Sequence, residues 1–103
     1  MKTLGVFEAV PGADRLIEAL LGLSDAADCR AFLEDICTVK ELQDIAQRLE
    51  VAFMLDEGKN YLEISKATGA STATISRVKK CLVYGTGGYR QALARAKEKG
   101  ETI

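Results

Sequence analysis

The chain has 103 residues, 48% of them apolar, a formal net charge of −1, and neither histidine nor tryptophan. That length supports one helical domain with one core, marginal if it stands alone. Lack of histidine removes the commonest general base and metal ligand, so neither an enzyme nor a metal site is expected. No stretch approaches the ~20 apolar residues of a membrane span, and no secretory signal opens the chain. Cys29, Cys37 and Cys81 are odd in number and widely spaced, and read as small apolar residues of a cytoplasmic protein.

The predicted elements are all helical, about six in number. After a ragged start over 1–10, Pro11-Gly12-Ala13-Asp14 leads into a helix ending near Leu23, striped by Leu16, Ile17, Leu20 and Leu21. Ser24 is read as the cap of a second helix to about Ile36, burying Cys29, Phe32, Leu33 and Ile36. Thr38-Val39-Lys40-Glu41 matches a capping box and opens the longest helix, over 38–58, with its stripe from Val39 through Leu42, Ile45, Ala46, Leu49, Ala52 and Phe53. A helix pair over 60–83 follows, and a last helix over 88–99 points Leu93 inward, with a frayed tail over 97–103. The first 37 residues supply the N-terminal helices.

The segment 60–82, NYLEISKATGASTATISRVKKCL, reads as a helix-turn-helix. Asn60 and Glu63 start its first helix, where Ser65 is small enough for a close crossing. Gly69 falls where the turn needs a left-handed backbone. Ser71 caps the second helix, on which Ile75, Val78 and Leu82 share one face. The opposite face then carries Ala73, Ser76, Arg77 and Lys80, with Thr72 at the tip and Thr74 and Lys79 on the flanks. Small and hydroxylic side chains near the helix start suit base edges in the major groove, and the cations suit guanine or phosphate.

Charge points the same way. Residues 1–57 hold five basic and twelve acidic residues, a net of −7, and residues 58–103 hold nine and three, a net of +6. An acidic body behind a basic reading head disfavours indiscriminate attachment to phosphate. Gly85-Thr86-Gly87-Gly88 follows a helix, not a strand, and lacks the Lys-Ser/Thr of a nucleotide cradle, so it is read as a connector.

The runs TVKELQDIAQRLEVAFML and GASTATISRVKKCL resemble the Trp-repressor superfamily, and CLVYGTGGYRQAL looks like its YerC/YecD-type branch. The resemblance covers roughly Thr38–Leu93. It implies an intertwined homodimer whose N-terminal helices wrap the partner chain, with two reading helices about 34 Å apart on DNA. It also implies base-reading positions at Thr72, Ala73 and Ser76, with Thr74 toward a phosphate, and an effector pocket formed by Thr38, Arg48 and Arg77. Tryptophan-binding members have glycine directly after the second arginine. This chain has Val78, whose branched side chain, if turned to the pocket, takes the volume an indole needs, so tryptophan is not the expected corepressor. Arg48 also has Glu41, Asp44 and Glu50 as candidate partners on its own helix.

Together these readings describe a sequence-specific regulator of transcription, a dimeric repressor on a palindromic double-stranded DNA site. A helical protein–protein interaction module using the same fold is the second reading, and steep salt dependence of DNA affinity separates the two.

Overall fold

The computed structural model describes residues 5–100 and is all-α throughout them. In chain order the helices are α1 (Val6–Ala9), α2 (Ala13–Leu21), α3 (Ala26–Ile36), α4 (Val39–Asp56), α5 (Tyr61–Thr68), α6 (Thr72–Tyr84) and α7 (Gly88–Glu98). The helix beyond the six predicted is α1, one turn in the segment read as ragged. The rest of that ragged start (1–4) and the end of the tail (101–103) lie outside the described residues. The chain divides after Thr38 into two compact units.

In the first unit the helical periodicity is right, but the apolar stripe of α2 is exposed and the burial predicted for α3 is not realised. Along α2 only Ala13 is buried, while Leu16, Ile17, Leu20 and Leu21 are all exposed. Along α3, Cys29, Leu33 and Ile36 are exposed and Phe32 is half-buried, contrary to the expected buried stripe. An apolar stripe records that a helix has a face to bury, not that its own chain supplies the cover. The cap of α3 also shifts by one residue. Asp25, not Ser24, accepts from the Asp28 amide at 2.9 Å, and Ser24 Oγ instead donates to the Asp28 carboxylate at 2.8 Å. Ser24 and Asp25 are both cap formers, and the first helical residue decides between them.

The second unit holds a closed core. Val51 and Ala52 of α4 meet Ile64 of α5, Ala70, Ile75, Val78 and Leu82 around α6, and Leu93 of α7, with Phe53, Met54, Leu55, Tyr61 and Tyr89 packed around them. The stripe of α4 is therefore buried only toward its C-terminal end, and Val39, Ile45 and Leu49 remain exposed. Gly58 ends the helix in the left-handed region at φ +84°, where the Gly58 amide donates to Leu55 O and the Lys59 amide to Met54 O, both at 3.0 Å. This double closure satisfies carbonyls that a helix end leaves free. Asp56 of α4 then pairs with Lys97 of α7 at 2.6 Å.

The glycine cluster serves as the connector expected of it. A Cβ on Gly85 would collide with the Cys81 carbonyl of the α6 backbone, so the chain leaves α6 at a point that favours glycine. Gly87, at φ +95°, starts α7. Arg90 folds back from α7 so that its Nε donates to Leu82 O at 2.8 Å, serving one of the last carbonyls of α6.

Candidate nucleic-acid interface

The helix-turn-helix is held by local hydrogen bonds at every joint. Asn60 Oδ1 accepts from the Glu63 amide and Glu63 Oε1 from the Asn60 amide, each at 2.9 Å, closing both arms of a capping box at the start of α5. Gly69 sits at φ +75°, ψ +4°, and its amide donates to Ser65 O at 2.8 Å. Thr68 stitches the turn, its hydroxyl donating to Ile64 O at 2.7 Å and accepting from the Ala70 amide at 3.1 Å. Gln47 reaches across from α4 to donate to Thr68 O at 3.1 Å, which anchors the turn to the long helix. Ser71 caps α6 by accepting from the Thr74 amide at 3.1 Å.

With Ile75, Val78 and Leu82 buried, the rotation of α6 is fixed. Thr72, Ala73, Ser76, Arg77, Lys79 and Lys80 are all exposed, and Thr74 is half-buried, its hydroxyl accepting from Ser71 Oγ at 3.1 Å. The residues singled out as DNA contacts are thereby brought onto one helix, most of them on its outer face. Behind them, Tyr61 of α5 places its hydroxyl 3.3 Å from Ser76 Oγ, and the Lys79 ammonium stands 5.9 Å from the centre of its ring.

A groove of about 970 Å³ opens between α4 and the helix-turn-helix. Arg48 and Arg77, predicted to share an effector pocket, both line it, while Thr38 is not part of its wall. The expected obstruction by Val78 is corrected here: that side chain is 1% exposed within the core and takes no volume from the groove. One of the acidic partners offered to Arg48 along α4 is engaged elsewhere. Asp44 pairs with Lys40 at 2.5 Å, and the Arg48 guanidinium acts electrostatically on the phenol of Tyr89 on α7. Burial raises the pKa of that phenol above the usual tyrosine value, and the Arg48 guanidinium opposes the shift. Gln47, Tyr61 and Tyr89 were not anticipated as site residues. Their partners lie on other helices, beyond the reach of any local pattern.

Among the described residues no cluster of three or more His, Cys, Asp or Glu side chains could hold a metal ion. Among the same residues no helix is long and apolar enough to cross a membrane.

Comparison with known proteins agrees with this architecture. The family model described as Trp repressor protein matches residues 12–97. The chain is 55% identical over 85 residues, 82% of each chain, to "Uncharacterized protein YerC" of Bacillus subtilis (strain 168). Among solved structures it superposes with a TM-score of 0.84 and 41% identity on the "Crystal structure of a putative Trp repressor from Staphylococcus aureus", covering 92% of this chain and 96% of that one. A TrpR like protein from Eubacterium eligens ATCC 27750 follows at a TM-score of 0.79 and 45% identity, over 84% of this chain and 89% of that one. A capped helix-turn-helix on a long α4, matched over most of its length in sequence and in structure, makes this chain a member of the Trp repressor family.

Proposed function

We propose that the protein is a cytoplasmic, sequence-specific regulator of transcription, a repressor that occupies a palindromic double-stranded DNA site as a homodimer. The observation that carries the reading is the fixed rotation of α6. Three buried residues and a hydrogen-bonded cap leave Thr72, Ala73, Ser76, Arg77 and Lys80 facing outward together. Such a face has the size and donor–acceptor content to enter a major groove, with Thr72, Ala73 and Ser76 at base edges and Lys79, Lys80 and Thr74 toward phosphates.

The homodimer is favoured by the uncovered apolar rows. Leu16, Ile17, Leu20 and Leu21 on α2, with Leu33 and Ile36 on α3, are left exposed by their own chain. Each such side chain stabilises by about 1.5–3 kcal/mol when fully covered, and a second copy offers the same apolar stripes in return. Dyad symmetry then calls for an inverted repeat with half-sites about one helical turn apart.

Selection of genomic fragments by the purified protein at two salt concentrations is expected to enrich a short inverted repeat that persists at the higher salt. Enrichment at neither concentration would move the protein-interaction reading into first place.

The groove holding Arg48 and Arg77 is the place for an anionic effector. It offers a carboxylate the guanidinium groups of Arg48 and Arg77, with Lys40, Asp44 and Glu50 also on its wall, but its apolar lining is only Ala46, Ala67 and Met54, without an aromatic ring. Tryptophan is therefore not the expected ligand, now because an indole finds little apolar wall rather than because of Val78. Calorimetry with tryptophan should register no stoichiometric micromolar binding, and a clean one-site isotherm in that range would reverse this assignment.

A further inference from the structure

Tyr61 lies outside the set of residues expected to touch DNA, yet it is in contact with two of them. It belongs to α5, fifteen residues before Ser76, and is half-buried against the core of the second unit. Its hydroxyl is 3.3 Å from Ser76 Oγ, where either oxygen could be the donor. Its ring faces the Lys79 ammonium at 5.9 Å from the centroid, within the range of a cation–π contact. The turn between the two helices is itself pinned by Gly69, Thr68 and Gln47, so the phenol meets α6 at a set position.

The chemistry of the pair is asymmetric. A phenol is the stronger acid of the two hydroxyls, so it favours donating, and an aliphatic hydroxyl favours accepting. With the phenol donating inward to its oxygen, the serine keeps its proton free to point outward from α6. Purine N7, guanine O6 and thymine O4 accept such a proton, whereas the cytosine N4 amino group presents only donors. The ring acts on Lys79 in a second way, by limiting where a long flexible side chain places its charge, so that less freedom is lost when it meets a phosphate.

We infer that Tyr61 is a specificity-determining positioning residue of the reading head, orienting the Ser76 hydroxyl toward a base-edge acceptor and steering Lys79 to the DNA backbone. The inference rests on the DNA-binding reading above and adds to it a residue that need not touch a base.

The test uses the full-length protein and randomised duplex libraries, with wild type beside Tyr61→Phe, Tyr61→Leu, Ser76→Ala and the Tyr61→Phe/Ser76→Ala double variant, each shown by thermal melting to be folded. Tyr61→Phe removes the hydroxyl and keeps the ring. It should lower discrimination against cytosine at one symmetric pair of positions by about 3- to 10-fold, the scale of one hydrogen bond, and leave the salt slope unchanged. In the Ser76→Ala background the same substitution should have no further effect, because the route through the serine is gone. Tyr61→Leu should reduce the salt slope as well, by about one per protomer. A Tyr61→Phe motif identical to wild type, or an equal loss at every position with or without Ser76, would overturn the inference while leaving the DNA-binding reading intact. A wild-type protein that enriches no motif would overturn both.

Discussion

Ile75→Ala is expected to lower the unfolding free energy by about 2–5 kcal/mol, the range for emptying a fully buried aliphatic site. Ile75 is 0% exposed and packs in the core cluster to which α4, α5, α6 and α7 all contribute. Removing three of its carbons loses their transfer free energy and leaves a cavity that Val51, Ile64 and Val78, each 1% exposed or less, are poorly placed to collapse into. Small domains are stable by only about 5–15 kcal/mol, so the variant loses a large share of the total. The matched control is Leu62→Ala. Leu62 is also an apolar residue of the helix-turn-helix, but it is 65% exposed, and its truncation should fall within about 0.5 kcal/mol of wild type. Urea unfolding at one fixed protein concentration, so that any oligomerisation cancels between variants, is the measurement. Equal losses for the two variants would mean that α6 does not turn Ile75 into the core.

That pair also marks where the sequence stops being legible. The helix-turn-helix could be read in detail because its determinants are local. Asn60 and Glu63 are three residues apart, Ser71 caps an amide three residues on, and Gly69 answers a backbone requirement of its own. Ile75, Val78 and Leu82 likewise follow one helical period onto one face. Over α2, α3 and the first half of α4 the same periodicity marks the apolar faces but not their cover, which is why Ile36 stands exposed where burial was expected and Leu20 and Ile45 of the neighbouring stripes are exposed too. The groove beside the helix-turn-helix was legible in part as a place where two arginines meet. Arg48 and Arg77 do meet at one cavity, but Thr38 does not line it, and Val78 turns into the core as its own place on the helical wheel requires. Nothing local could reveal Tyr61 beside Ser76 or Gln47 on Thr68, since those contacts span 15 and 21 residues of chain.

Arg77→Ala should weaken binding to the selected site by about 1–3 kcal/mol for each recognition helix, and a symmetric dimer presents two of them. The combined loss is therefore about 2–6 kcal/mol, roughly a 30-fold to more than a 10⁴-fold rise in Kd. Arg77 is exposed on α6 next to Ser76, and its guanidinium can engage guanine O6 and N7 together, a bidentate geometry that lysine cannot copy. Arg77 also lines the groove proposed for an anionic effector, so a loss of affinity alone would not say which role had been removed. Lys80→Ala separates them. Lys80 is exposed on the same helix and is not part of the groove wall, so its removal should weaken all DNA sequences alike and reduce the salt slope by about one per protomer. If Arg77 reads a base, Arg77→Ala should instead cost more on the selected site than on random DNA, and the ratio should survive high salt. If its role is confined to the groove, the preference between sites stays at the wild-type value and only ligand response changes. Electrophoretic or fluorescence titrations on both kinds of DNA, at two salt concentrations, distinguish these outcomes. A reading head in which neither substitution alters binding has been placed on the wrong face of α6.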